Sequence, residues 1–153
     1  MKNSDNPQAD LDNVQERWLD LYDHAPVGYC TVGDNGLIVE TNLKAAALLG
    51  VAREELVFQT ISRFVFKDDL ESYHLHSRQL FETGAPQACE LRMVKEDGTQ
   101  FWARLEATVA QGPSTGPEQR MCRMVLSDIT GRRKAEEALK ESEERFRHMT
   151  EQL

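Results

Sequence analysis

Three cysteines and a tyrosine–histidine segment carry the side chains of this sequence that are best suited to chemistry. Cys30, Cys89 and Cys122 lie far apart and form no Cys-x-x-Cys pair, which predicts neither a zinc site nor a disulfide framework. We interpret them as reduced, buried thiols, because free cysteine is among the most frequently buried residue types. The segment Tyr73-His74-Leu75-His76 offers imidazoles, and one axial histidine in an apolar pocket suffices to hold haem.

Sequence motifs of catalysis are missing from the chain. It has no Gly-rich phosphate loop, no His-Glu-x-x-His motif, no nucleophile elbow and no paired spacing of metal ligands. His148 is followed by Met149-Thr150-Glu151, which lacks the features of a phospho-accepting histidine box. We therefore predict no catalytic residue and no metal ligand, and we expect that this segment is not an enzyme.

The charge and hydropathy of the chain argue against two classes of partner. A formal net charge of −8 and a pI near 5.0 disfavour nucleic acid, because phosphate binding needs clustered Lys and Arg without interleaved carboxylates. No stretch approaches the roughly 18 to 20 apolar residues of a membrane helix, and the polar start of the chain contains no apolar signal core. The segment is therefore predicted to be cytoplasmic and not inserted into a membrane.

The beginning of the chain predicts a lead-in followed by a helix. Residues 1–10 are polar and without periodicity, as expected of a disordered segment. Residues 11–25 carry apolar side chains at steps of three and four, which is typical of an amphipathic helix. The apolar stripe of this helix contains Leu11, Val14, Trp18 and Leu21.

The middle of the chain predicts five strands and two helices. Residues 27–32 and 37–41 flank a Gly-Asp-Asn-Gly turn, and three later segments alternate apolar and polar residues. Helices are predicted over 43–49 and 68–83, each followed by a glycine. The Gly- and Pro-rich stretch 111–119 predicts a mobile surface loop.

The turn at Asp97-Gly98 can be predicted from strand parity. Met93 and Ala103 share a face only if the numbers of paired residues sum to an even value. This condition excludes a clean two-residue loop between the third and fourth strands. A three-residue loop or a bulge is therefore expected.

The end of the chain predicts one charged helix over 131–153. Its apolar positions recur at alternating steps of four and three, the spacing of a coiled-coil seam. Glu144-Arg145-Phe146 repeats Glu16-Arg17-Trp18, and such a repeat indicates that the helix runs into a second domain like the first. The seam positions are Ala135, Leu139, Ser142, Phe146, Met149 and Leu153.

Two short motifs in the second half of the chain point to a family. One is Glu96-Asp97-Gly98-Thr99 with Phe101-Trp102, and the other is Asp128-Ile129-Thr130 leading into Arg132-Arg133-Lys134-Ala135-Glu136. Together with the predicted order of elements, they make residues 12–131 resemble a PAS domain of bacterial sensor proteins. The resemblance implies an α+β fold, in which short helices flank a five-stranded antiparallel sheet and the PAS core spans 26–130.

The resemblance also assigns a role to the second motif. In similar proteins this triplet joins the last strand to an output helix, so Asp128, Ile129 and Thr130 are candidates for signal coupling. The residue types suit a second interpretation, in which Asp128 and Thr130 only cap the start of the helix.

The family's ligand pocket lies on the inner face of the sheet. Different PAS domains use it for haem, flavin, small metabolites or nothing. Strand alternation makes the pocket floor apolar, and the neighbouring helices add three candidates. The floor residues are Leu91, Met93, Ala103, Leu105, Met124 and Leu126, and the helical candidates are Ile61, Tyr73 and His74.

The cofactor stays undetermined, although the residues disfavour two of the family's cofactors. Flavin-binding relatives place a reactive cysteine where this chain has Ile61 and amide side chains at three floor positions, so a thiol–flavin adduct is not expected. In haem-binding relatives the axial histidine corresponds to Tyr73, and His74 is rotated from it by about 100°, which disfavours haem. Many relatives have glycine near Phe58, and we expect this side chain to fill volume near the pocket.

The outer face of the predicted sheet suggests a packing partner. Trp102 lies there beside Arg104 and other charged residues. A large aromatic side chain is rarely left exposed to solvent beside charged side chains. We expect the stripe containing Trp18 and Leu21, or a second subunit, to cover it. Since PAS domains commonly pair in this way, we predict a homodimer.

Two functions are consistent with these features. The first is a sensory and signal-transduction module that binds a small ligand or relays a state through its sheet to the C-terminal helix. The second is a ligand-free dimerisation and docking module with a filled core. A cavity of roughly a few hundred cubic ångströms favours the first, and core-like packing favours the second. An output domain is expected downstream in the same chain, in a two-component histidine kinase or a diguanylate cyclase.

Overall fold

The computed structural model describes residues 7–110 and 120–151. Two 3-10 turns, Ile61–Phe64 and Lys67–Asp69, precede the longest helix of the core. The described helices are α1 (Pro7–Asp23), α2 (Leu43–Leu49), α3 (Arg53–Leu56), α4 (Leu70–Thr83) and α5 (Thr130–Glu151), and the strands are β1 (Gly28–Gly33), β2 (Ile38–Thr41), β3 (Gln87–Val94), β4 (Gln100–Val109) and β5 (Met121–Asp128).

The predicted boundary between lead-in and first helix is wrong. Helix α1 spans Pro7–Asp23 of the described residues, so four residues assigned to the lead-in are helical. The rest of the predicted lead-in, the predicted loop 111–119 and the seam residue Leu153 lie outside the described residues.

The five strands form one antiparallel sheet in the order β2-β1-β5-β4-β3. This confirms the predicted α+β class. Along β4 the side chains alternate, with Phe101, Ala103 and Leu105 buried and Trp102 and Arg104 only partly so. The buried face packs against the helices of the first half of the chain and forms the core.

The β3–β4 turn is a three-residue loop, one of the two alternatives that parity left open. Val94 pairs with Gln100, and the backbone N–H of Lys95 donates to the carbonyl of Thr99 at 2.8 Å. Gly98 has a φ of +91°, which glycine adopts without steric cost. The register therefore places Leu91, opposite Ala103, on the buried face.

Helix α2 lies directly over β1 because a glycine allows the approach. A Cβ atom on Gly28 would lie 2.9 Å from Cα of Ala45, closer than packed carbon atoms allow. The helix ends, as predicted, at Gly50, whose φ is +73°. Helix and strand are thereby packed at backbone distance.

Candidate functional site

The predicted pocket floor is buried, and most of it is packed core. All six floor residues face the helices, and none is more than 6% exposed. Ile61 and Tyr73 join the same apolar cluster, whereas His74 is exposed on α4. The sequence thus predicted which side chains are buried, while their role in ligand binding stays a prediction.

A cavity of about 30 Å³ lies between α4 and the sheet. Of the predicted pocket residues, Tyr73, Leu105 and Met124 line it. The walls that the sequence did not predict include His76, Ser77, Leu80, Gln87, Cys89 and Cys122. Three of these stand three, four and seven residues after Tyr73 on α4, so helical spacing from that residue could have found them.

The cavity does not fit haem or a flavin. Its volume is about a tenth of the roughly 300 Å³ at which pockets for drug-sized ligands begin. His74, the imidazole that the sequence offered for haem, is exposed on α4 and does not line the cavity. Within the described residues, no three His, Cys, Asp or Glu side chains are grouped so that they could hold a metal ion.

The three cysteines are free thiols. Cys30 and Cys122 are buried, and burial raises the pKa of each to about 11. Burial also raises the pKa of the half-buried Cys89. The three side chains are therefore neutral at physiological pH and are poor nucleophiles, which agrees with the structural role that the sequence predicts.

The expectation that Phe58 fills the pocket is wrong. Its side chain is 72% exposed, and its φ of +71° lies in the region that favours glycine. The Phe58 N–H donates to the carbonyl of Ile38 at 2.6 Å, so this segment pairs with the edge of β2. Edge pairing, rather than core packing, fixes the conformation of Phe58.

The junction between β5 and α5 is held by the backbone of Trp102 on β4. The Trp102 N–H donates to Thr130 Oγ1 and the Ile129 N–H donates to the Trp102 carbonyl, both at 2.9 Å. The Asp128 carboxylate accepts the Thr130 N–H at 2.9 Å, a local bond of the kind that starts a helix. Asp128 therefore makes a local cap, whereas Ile129, which is buried, and Thr130 bind the neighbouring strand.

An ion-pair cluster, which the sequence did not reveal, joins β3 to α5. The Glu90 carboxylate lies 2.7 Å from the guanidinium of Arg132, 3.2 Å from that of Arg133 and 3.6 Å from that of Arg104. The hydrogen bond from Arg132, supported by the field of all three arginines, lowers the pKa of Glu90. The start of α5 is thus held to the sheet by charge as well as by backbone hydrogen bonds.

Arginine side chains, rather than α1, cover Trp102. The guanidinium of Arg133 lies 3.6 Å from the centroid of the Trp102 ring, and that of Arg92 lies 5.5 Å from it, both within cation–π range. Arg92 also binds Asp69 through two hydrogen bonds of 3.0 Å, which lower the pKa of Asp69. The expectation that the stripe of α1 covers Trp102 within one subunit is therefore wrong.

Helix α1 lies instead beside β1. Trp18 stacks on Tyr22 at 5.0 Å and Tyr22 stacks on Tyr29 of β1 at 5.8 Å. Arg104 pairs with Glu106 and Glu90 and not with a residue of this stack. The stripe remains more than half exposed at Leu11, Val14, Trp18 and Leu21.

Asn42 connects α1, β1 and α2, and the sequence did not single it out. The side chain is fully buried. Its Oδ1 accepts the N–H groups of Tyr29 at 2.9 Å and Ala45 at 3.0 Å, and its Nδ2 donates to the carbonyls of Tyr22 at 2.7 Å and Val27 at 3.1 Å. Its position before an Ala- and Leu-rich helix identifies it as an N-cap, but only the fold brings the other partners to it.

The profile of the PAS fold matches residues 16–125, and the chain therefore belongs to the PAS family of sensory and signalling modules. A PAS domain is not itself catalytic. None of the helices in the described ranges has the length and hydropathy needed to cross a bilayer. No curated protein sequence matches the chain significantly.

Solved PAS structures share this fold at low sequence identity. The PAS domain of a protein from Colwellia psychrerythraea has a TM-score of 0.66 and 18% identity, covering 77% of this chain and 98% of that one. The PAS domain of an HTR-like protein from Haloarcula marismortui has a TM-score of 0.67 and 18% identity, covering 80% and 98%. A PAS domain from a two-component sensor histidine kinase has a TM-score of 0.61 and 15% identity, covering 76% and 98%.

Proposed function

We propose that this chain is a cytoplasmic sensory relay module of a larger signalling protein, in which the sheet transmits a state to α5. The observation that carries the proposal is the pair of hydrogen bonds between the Trp102 backbone and Ile129 and Thr130. Because β4 holds the first residues of α5, a displacement of this strand changes the position of the helix. A junction of this kind gives a two-state element that an input can bias.

A second connection reaches the same helix from α4. Asp69, directly before α4, binds Arg92 on β3, and Arg92 and Arg133 both lie over the Trp102 ring. Each contact is between side chains on or near the surface, where a few tenths to about 1 kcal/mol per pair is typical. Contacts of this size can be broken and remade without unfolding the core.

The output element of the proposed relay is the exposed stripe of α5. Leu139, Phe146 and Met149 are 61%, 73% and 67% exposed and belong to the predicted seam. We propose that they pair in the coiled coil of a homodimer, which transmits rotation or register to a downstream domain of the same chain. The proposed parent protein is a two-component histidine kinase or a diguanylate cyclase. The Glu144-Arg145-Phe146 repeat supports a second PAS domain between α5 and the output domain of that parent.

One observation favours the alternative of a docking module without ligand. The inner face of the sheet is close to core-like packing, with a cavity of only about 30 Å³. The two functions share the junction at Trp102, and they differ in whether a small molecule moves α5. The junction is therefore tested first.

The test of the relay uses Thr130→Val, which keeps the shape of the side chain and removes its acceptor. Trp18→Phe makes Trp102 the only tryptophan, so that its fluorescence reports the docking of α5. We expect the variant to lose about 1 kcal/mol of local stability, to exchange the Trp102 amide about fivefold faster and to change the Trp102 emission.

Thr150→Val is the matched control, because the Thr150 hydroxyl bonds only within α5, to the carbonyl of Phe146. It should change neither readout. Unchanged amide exchange at Trp102 in Thr130→Val would contradict the proposed junction.

A further inference from the structure

A groove of about 640 Å³ lies between α1 and the outward-facing side chains of β1, β2 and β5. Trp18, Leu21 and Tyr22 line it on the helix side, and side chains of the three strands line it on the other. Sites for small organic ligands typically measure roughly 300 to 1,000 Å³. The groove is therefore large enough for such a ligand, unlike the cavity of about 30 Å³ beneath α4.

The floor of the groove carries two opposite charges in one row. The register places Glu40 opposite Thr31 and Thr31 opposite Arg123, and residues directly opposite each other in antiparallel strands project from the same face. Two strand spacings, about 10 Å, separate the Cα atoms of Glu40 and Arg123. Both side chains are exposed, and neither makes an ion pair or side-chain hydrogen bond with another residue that the structure describes. The floor thus presents one carboxylate and one guanidinium without partners.

The wall on the helix side is aromatic. The rings of Trp18, Tyr22 and Tyr29 are nearly parallel, with interplanar angles of 12° and 11°. Burial, supported by the field of Glu40, raises the pKa of Tyr22, so the Tyr22 hydroxyl is protonated and the Glu40 carboxylate lies near this wall. Trp18 is 55% exposed. The stack therefore offers a flat apolar surface against which a further aromatic ring can pack.

We propose that this groove binds an aromatic amino acid in its zwitterionic form. The guanidinium of Arg123 binds the carboxylate of the ligand, the carboxylate of Glu40 binds its ammonium group, and its ring packs against the stack that contains Trp18. Both charged side chains are long enough to reach groups that lie a few ångströms apart above Thr31. A ligand with a single charge would leave one of the two floor charges without a partner.

The ligand would join α1 to the sheet. A molecule of about twelve heavy atoms at a half-open site binds with a Kd of roughly 1 mM. The inference goes beyond the proposed relay and does not depend on it, because the groove lies at β1 whereas the relay junction is at Trp102 on β4.

The experiment is a titration of the full chain with phenylalanine, followed by amide chemical shifts. We expect saturable shifts in α1 and in the groove-lining parts of β1, β2 and β5. Three analogues test the parts of the ligand separately: phenethylamine lacks the carboxylate, phenylpropionate lacks the ammonium group, and alanine lacks the ring. Each should bind about fivefold more weakly than phenylalanine or worse, since one exposed ion pair or one ring contact is lost.

Two variants assign the two charges. Arg123→Gln should remove the preference for phenylalanine over phenethylamine and keep the preference over phenylpropionate, and Glu40→Gln should do the reverse. Both residues are exposed, so urea denaturation should show little change in stability. Arg78→Gln and Glu82→Gln are the matched controls, because these residues are exposed on α4 and do not line the groove. Both controls should bind phenylalanine with the affinity of the parent protein.

Three outcomes would overturn the proposal. They are shifts that do not saturate, analogues that bind as tightly as phenylalanine, and variants of Glu40 and Arg123 that keep the preferences of the parent protein. A second copy of the chain is another conceivable occupant of the groove. Weaker self-association of both variants in sedimentation velocity, together with no saturable binding of phenylalanine, would identify a subunit contact and exclude the amino-acid site.

Discussion

The two terminal helices are similar in sequence pattern and different in how the core holds them. Both α1 and α5 are amphipathic and have no buried residue, so neither is fixed by burial of its own side chains. The end of α1 is held by the neutral amide of Asn42, inside the core, and by an ion pair of Asp23 with Arg53 at 2.7 Å. The start of α5 is held by Thr130 and by the charged cluster around Glu90, at the surface.

This difference separates a fixed attachment from an adjustable one. A buried amide with all its hydrogen bonds made is insensitive to salt and to pH, and removing it leaves buried groups unpaired. Surface ion pairs are weak, and salt screens them within about 10 Å. The attachment of α5 can therefore weaken under conditions that leave the core intact.

The largest effect is expected from Asn42→Ala, which breaks the fixed attachment. The substitution leaves the N–H groups of Tyr29 and Ala45 and two carbonyls without partners. We expect a loss of about 3 kcal/mol in the free energy of unfolding, measured by urea denaturation. Asn35→Ala is the control, since Asn35 is exposed and bonds only to the N–H of Leu37. Equal losses in the two variants would refute the role of Asn42.

A smaller effect is expected from changes to the exposed stripes. Phe146→Ser with Met149→Ser should weaken self-association about tenfold, because two seam positions lose their apolar contacts, and should leave the unfolding of the monomer unchanged. Leu11→Ser with Val14→Ser makes the same change on α1 and should weaken association less. Sedimentation velocity measures both, and an unchanged distribution for the α5 variant would count against the coiled coil.

The smallest effect is expected from Glu90→Gln and appears only in acid. The folded-state pKa of Glu90 is lowered, so its ion pairs stabilise the docked α5 above the ordinary carboxyl pKa and lose this contribution as pH falls through the folded pKa. In the Trp18→Phe protein, the Trp102 emission should change on acidification. Glu90→Gln should remove the part of this change that comes from protonation of Glu90. Glu106→Gln, which alters only a pair with Arg104, should retain it. Identical titrations of all three proteins would exclude Glu90 as the acid-sensitive contact.

Local patterns predicted the elements, the buried face and one turn. Apolar alternation placed Leu91 and Ala103 on the inner face, and parity excluded a two-residue loop before Thr99, since both depend only on neighbours along a strand. Helix α2 and its C-terminal end could be predicted because its composition and the glycine that follows it are local in sequence. The prediction that Phe58 fills the pocket was wrong because the conformation of Phe58 depends on Ile38, twenty positions earlier in the chain.

The sequence by itself determined the family, the sheet, the burial of Cys30 and Cys122 and the triplet that leads into α5. Only the tertiary structure decided that Asn42 connects three elements, that Glu90 faces Arg132 and Arg133, and that the cavity lies beside Ser77 rather than over Met93. The physical reason is distance along the chain. Periodicity and capping act over a few residues, whereas Glu90 and Arg132 are 42 positions apart, and their contact depends on how strands, helices and side-chain volumes fit together.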